Sequence, residues 1–207
     1  MGFYENHVLP HLIEWACAAR PVAAQRRRIL PEAEGQVVEI GLGSGHNLPY
    51  YDADRVKAVI GVDPSDAILA RAARRAAEVG FPVEMAALEG EHLPFESDFA
   101  DTVVVTYSLC TIPDPAQALS EMRRVLKPGG RLLFAEHGAA PDAVVRRWQE
   151  RLDRLFWPKI SGGCHLARHP DRLIEAAGFG FEHIERAYLP QTPRPFGFNY
   201  LGAARPR

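Results

Sequence analysis

The sequence predicts a doubly wound, Rossmann-like α/β domain whose sheet is mostly parallel, with an antiparallel edge strand near the C-terminus. Three observations predict it. Short apolar runs alternate with helical patterns between residues 36 and 136. A glycine-dense turn, Gly41-Leu42-Gly43-Ser44-Gly45, directly follows the first of those runs. An acidic residue, Asp63, closes the second run.

Residues 8–30 carry Leu9, Leu12, Ile13, Ala16 and Cys17 at helical spacing, so one or two helices are expected, punctuated by Pro21. Gly35 ends a polar turn and Val37-Val38-Glu39-Ile40 starts the first strand. The residues after the glycine turn are expected to open a helix. Residues 56–62 form a second strand, and residues 65–79 an alanine-rich helix with Pro64 at its start. A short strand follows at 83–87. Residues 101–106 include Val103-Val104-Val105, the mark of a strand buried on both faces. Residues 116–126 place Leu119, Met122, Val125 and Leu126 on one helical face, and Lys127-Pro128-Gly129-Gly130 stops that helix before a strand at 131–136. Right-handed crossovers then give a parallel sheet. Beyond it lie a helix at 143–155 with Trp148, a Gly-, Cys- and His-containing loop at 160–168, and a short helix at 170–177. Two strands, 181–188 and 198–204, close the edge.

Length and composition fit one domain. The chain has 207 residues, 47% apolar and 24% charged, enough for a sizeable core. A net charge of −2 gives no general basic surface, so no nucleic-acid partner is expected. The densest basic run, Arg26-Arg27-Arg28, reads as the solvated face of a helix. Three cysteines, Cys17, Cys110 and Cys164, make no disulfide framework and point to a reducing compartment. Residues 1–7 carry no secretory signature or myristoylation signal, and no apolar run reaches the roughly 18 residues of a membrane span. A cytoplasmic protein without an integral membrane segment, monomer or homodimer, is the expectation.

The spacing of the turn narrows the ligand. A dinucleotide fingerprint needs its third glycine three residues after the second. Here it comes two after, at Gly45, and position 46 is His. That spacing, with the acidic Glu39 before it, is the [D/E]-x-G-x-G-x-G form used for S-adenosylmethionine. Asp63 can accept both ribose hydroxyls, although Asp63-Pro64-Ser65-Asp66 could also simply cap a helix.

Further along, Leu88-Glu89-Gly90-Glu91-His92-Leu93-Pro94-Phe95 and Leu126-Lys127-Pro128-Gly129-Gly130 resemble the class I methyltransferases of the ubiquinone/menaquinone C-methyltransferase type. In those enzymes a Gly-Asp-Ala-x-x-Leu-Pro-Phe segment touches the adenine. The resemblance puts Glu89 at its acidic position, where Glu replaces the usual Asp, and Gly90 at its small one. Short matches around Asn47, Ser108-Leu109-Cys110, Glu136-His137-Gly138 and Gly163-Cys164-His165-Leu166-Ala167-Arg168 look like the small methyltransferase-like alkyl-thiol S-methyltransferases of animal membranes and their soluble bacterial relatives. The animal proteins carry an N-terminal hydrophobic anchor that residues 1–30 do not resemble, so membrane attachment is not carried over.

The resemblance implies S-adenosylmethionine as cofactor and a small-molecule methyl acceptor, with thiol sulfur first. Expected cofactor contacts are Glu39, Gly41, Gly43, Gly45, Asn47, Asp63, Pro64, Ser65, Glu89, Gly90 and Ser108. Strand ends in such sheets face the substrate, so His137 is the expected base or orienter. His46, Cys110, Trp148, Cys164 and His165 are expected on the acceptor side or in a lid. For Cys110 an inert buried thiol is the simpler reading, for Trp148 and Trp157 plain packing, and for His137 a packed imidazole stands level with the base role. Among themselves Cys110, His137, Cys164 and His165 form no C-x2-C or H-x3-H pair, so no metal is expected. One domain then divides into a helical cap (1–34), a cofactor-binding core (35–138) and acceptor-side helices, lid loop and closing strands (139–207). The rival readings are a ring-carbon, nitrogen or oxygen acceptor, an NAD-dependent oxidoreductase, and a protein that binds cofactor without turnover.

Overall fold

The computed structural model describes residues 8–207; the expectations placed on residues 1–7 lie outside it. Seven strands form one sheet: β1 (Gly35–Ile40), β2 (Val56–Val62), β3 (Val83–Ala86), β4 (Ala100–Thr106), β5 (Leu126–His137), β6 (Phe179–Tyr188) and β7 (Phe198–Pro206). Their order is β3-β2-β1-β4-β5-β7-β6. Strands β1 to β5 pair in parallel. β7 runs antiparallel to both β5 and β6, so the reversed strand sits one place in from the edge.

Among the described residues six helices of seven residues or more frame the sheet: α1 (Leu9–Cys17), α2 (Arg20–Ile29), α3 (Asp66–Ala76), α4 (Pro115–Val125), α5 (Ala143–Leu155) and α6 (Pro170–Ala176). Side chains alternate across each strand, and the valine run shows it. Val103 and Val105 join a core with Leu119, Met122 and Ile174 from α4 and α6. Val104 joins the opposite core with Ile29, Leu69 and Ala72 from α2 and α3. Both faces are thus covered, which is why β4 carries no polar alternation at its centre. Burying each such aliphatic side chain contributes roughly 1.5–3 kcal/mol.

Local signals set the helix starts. The Ser65 hydroxyl accepts from the Ile68 N–H, and Asp114 accepts from the Gln117 N–H at 3.0 Å with Pro115 in the first turn. Two expectations change. The glycine turn leads only into a 3-10 turn, Leu48–Tyr50, not a helix; Pro49 denies that segment one backbone donor. The 126–130 segment does not merely stop α4. It already pairs with β4, Ala100 against Leu126, before a register break carries the strand on at Arg131.

Candidate active site

The sheet order reverses at β1, between β2 and β4, and the crevice beyond the strand ends there is where an open α/β sheet binds its ligand. The glycine turn leaves β1 at that point. Gly41 has φ +75° and Gly43 φ +55°, both left-handed values that side chains resist. A Cβ on Gly41 would strike the Ser108 hydroxyl, so the turn packs against the end of β4. A Cβ on Gly43 would meet nothing nearer than the Gly41 carbonyl oxygen at 4.0 Å. Gly43 therefore opens onto free space, while Gly45 is filled behind by Leu48 and Ala72.

Asp63 faces the turn from the end of β2. One carboxylate oxygen accepts from the Gly43 N–H and the other from the Ser65 N–H, both at 3.0 Å. Each oxygen keeps a lone pair for a further donor. Burial raises the Asp63 carboxyl above its ordinary range, against the pull of those two N–H groups. Pro64 is exposed beside it, and Ser65 spends its hydroxyl on the α3 cap. On the adenine side, Gly90 is buried, with Ile40 where a Cβ would go, and Glu89 is exposed.

Glu39 and Asn47 do not face the crevice with free groups. Glu39 is buried, and its two oxygens accept from Asn47 Nδ2 at 2.9 Å and the Tyr51 hydroxyl at 2.6 Å. Asn47 also takes a hydrogen bond from Arg26 Nε at 2.7 Å. Burial pushes the Glu39 carboxyl up to about 7, with Tyr51, Arg26 and Asn47 opposing. Arg26 is itself buried, so only Arg27 and Arg28 of the basic run lie on a solvated face. Its guanidinium also donates to the Cys17 carbonyl and lies over the Tyr107 ring at 5.5 Å. A contiguous run hid this because only one of its three arginines turns inward.

Helix α1 lies over the turn. Glu14 on α1 accepts from the Ser44 hydroxyl and from Arg75 at 3.1 Å, and it stands 3.1 Å from His46 Nε2. Burial lowers the His46 imidazole more than Glu14 raises it.

Past β4 and β5 lies a second set of groups. Glu136 is fully buried and its Oε1 accepts from the Ser108 and Leu109 N–H groups at 2.8 and 3.1 Å. Its Oε2 has no hydrogen-bond partner among the described residues, and burial pushes the carboxyl up to about 7. A charged residue directly after the apolar run Leu132-Leu133-Phe134-Ala135 was its sequence signal. His137 follows, with Nε2 3.3 Å from Cys164 Sγ. Burial pushes the imidazole down, but Cys164, Glu136 and Asp153 outweigh it and the direction is up. The hydrogen bond with Cys110, together with burial, raises the Cys164 thiol well above its usual range. Cys110, His137 and Cys164 gather their ligand atoms within 4.8 Å of one another, which their sequence spacing did not suggest. The His165 N–H donates to the Cys110 carbonyl. Trp148 is not packed inside: it is 53% exposed on the outer side of α5, beside Arg151. Trp157, by contrast, packs on Phe196 at 4.8 Å.

The sheet order, the glycine turn open at Gly43 and the facing Asp63 define a class I S-adenosylmethionine-dependent methyltransferase. Residues 38–134 match the methyltransferase domain family Methyltransf_11. The chain is 30% identical to the rat thiol S-methyltransferase TMT1B over 173 residues, 83% of this chain and 70% of that protein. It is 39% identical to the phosphatidylethanolamine N-methyltransferase of Cereibacter sphaeroides over 129 residues, 59% of this chain and 63% of that one. A solved S-adenosylmethionine-dependent methyltransferase from Thermotoga maritima superposes with a TM-score of 0.68 at 21% identity, covering 99% of this chain and 98% of that one. The chain belongs to the class I S-adenosylmethionine-dependent methyltransferases. Among the described residues no helix is long and apolar enough to cross a membrane.

Proposed function

We propose that this methyltransferase acts on the sulfur of a small thiol. The observation that carries the reading is the reach of one similarity. A match covering 83% of 207 residues has to include about residues 36–172, and so His137 and Cys164 as well as the cofactor core. The match to the phosphatidylethanolamine enzyme covers 59% and need not extend that far.

The residues fit the cofactor. Gly43 leaves room at the turn, Asp63 keeps lone pairs for the ribose hydroxyls, and Gly41, Gly45, Gly90 and Ser108 shape the walls. Glu39 and Asn47 act from behind, bracing the turn through Tyr51 and Arg26. When bound, S-adenosylmethionine supplies a methyl group already activated on its sulfonium. What remains for the protein is orientation and exclusion of water, with the reacting atoms held about 3–3.5 Å apart. A free alkyl thiol titrates near ~8.5, so its proton leaves without a strong base. His137, beside Cys164, is the residue we assign to orienting the acceptor. Three free cysteines suit a reducing, cytoplasmic setting.

The test offers purified protein methyl-labelled cofactor with separate thiols, amines, phenols and phospholipids. Thioether formation is expected. Transfer to another class with none to any thiol would overturn the sulfur reading. A nitrogen or ring-carbon acceptor is the second reading, favoured by the similarity to the phosphatidylethanolamine enzyme and to a demethylmenaquinone methyltransferase of Clavibacter sepedonicus, 32% identical over 137 residues.

A further inference from the structure

Three separate segments bring soft ligand atoms to one point: Cys110 after β4, His137 at the end of β5, and Cys164 in the loop after α5. Each arrives on a braced backbone. The Arg168 guanidinium donates to the Ile112 carbonyl at 2.7 Å and also to the Leu109 carbonyl, on either side of Cys110. The Asp153 carboxylate accepts from the Leu166 and Ala167 N–H groups at 2.8 and 2.9 Å, just past Cys164. His137 is held in the ladder opposite Asn199 of β7.

The distances suit a four-coordinate metal. Thiolate sulfur at about 2.3 Å and imidazole nitrogen at about 2.0 Å from a tetrahedral zinc stand about 3.5–3.8 Å apart. Here Cys164 Sγ and His137 Nε2 are 3.3 Å apart, and all three ligand atoms lie within 4.8 Å of one another. Side-chain adjustments of about 1 Å or less would complete the geometry. Two sulfurs and an imidazole select zinc over magnesium or calcium. No fourth Cys, His, Asp or Glu atom joins the group among the described residues. Structural zinc sites close with four protein ligands, whereas sites that bind a reactant keep one position open.

We propose that Cys110, His137 and Cys164 form a zinc site with one open coordination position at the acceptor end of the crevice. Binding releases the two cysteine protons to solvent. The ligand taken at the open position is a thiol. It enters as thiolate, with a zinc–sulfur bond forming as its S–H bond breaks and the proton passes to solvent. This last part rests on the thiol reading above; the metal site does not.

The test measures metal on the full chain, purified anaerobically and without chelator. About one zinc per chain is expected by mass spectrometry, as for a three-ligand site. Titrating the reduced, zinc-stripped protein with Co2+ should give thiolate-to-cobalt charge-transfer bands and intense tetrahedral d–d bands. Cys164→Ser and His137→Ala should each weaken Co2+ binding by about tenfold or more, at unchanged circular dichroism. If a variant fails to fold, the wild-type cobalt spectrum still decides. Less than about a tenth of a zinc per chain, with no such cobalt bands, overturns the site. A small alkyl thiol added to the cobalt form should shift the d–d bands; no shift overturns the open thiol position and leaves the metal. Thiol methylation by metal-free protein at full rate refutes the open position's role while the thiol reading stands.

Discussion

Glu136→Gln separates a buried carboxyl from the fold that surrounds it. Glu136 has no exposed surface, two backbone donors on Oε1 and no hydrogen-bond partner for Oε2 among the described residues. Its carboxyl titrates near 4.5 in the open chain and is pushed up to about 7 in the fold, chiefly by burial. At about 1.4 kcal/mol for each pH interval of that rise, the difference corresponds to about 3 kcal/mol. The raised folded value fixes the sign. The stability is fully present below pH 4.5, where both states are protonated, and is lost as pH climbs through about 7. Glutamine keeps the shape and the Oε1 acceptor but never ionises. Urea unfolding between about pH 5 and pH 8, with a chelator present, should show wild type losing stability as pH rises. Glu39, also pushed up to about 7, contributes a parallel loss in both proteins. The Gln variant should therefore fall less steeply, with the curves diverging by about 3 kcal/mol at the upper end. Parallel curves would refute the assignment of a neutral Glu136 to the folded state.

The cofactor groups yield three more expectations. Asp63→Ala removes an acceptor for two hydroxyls; at roughly 1.5–3 kcal/mol for each charge-assisted bond, S-adenosylmethionine affinity should fall at least about 100-fold by calorimetry, and less in Asp63→Asn. Gly43→Ala places a methyl group in the open space of the turn at φ +55°. Stability should drop by about 1 kcal/mol in urea while cofactor binding is nearly lost; unchanged binding would show that the space serves something else. Glu14→Ala cuts α1 from Ser44 and Arg75. Amide exchange across Leu9–Cys17 should accelerate with little change in global stability, and unchanged exchange would mean that packing alone holds the helix.

Features that act through neighbours in the chain were legible in the sequence. The strand positions up to β5, the glycine turn and Asp63 depend on short runs, periodicity and one spacing, and each emerges where those patterns put it. Features made by convergence were not. Arg26 sits in a basic run that looks solvated, yet it reaches Asn47 21 positions away. Cys110 and Cys164 come together only because β4, β5 and the loop after α5 end at one place, and no spacing rule encodes that. Tyr51 and Glu136 belong to the same class: each is a buried polar group whose partner lies far along the chain. Trp148 failed in the other direction, since its helical position suited packing but α5 turns it outward.

The central claim is that the methyl group goes to sulfur. The most direct measurement mixes equimolar alkyl thiol, amine, phenol, demethylated quinol and phosphatidylethanolamine in one vessel with S-adenosylmethionine carrying a deuterated methyl, and reads the labelled products by mass spectrometry. The label should leave on the thioether ahead of every other product. A labelled amine, ring or headgroup with no labelled thioether would contradict it.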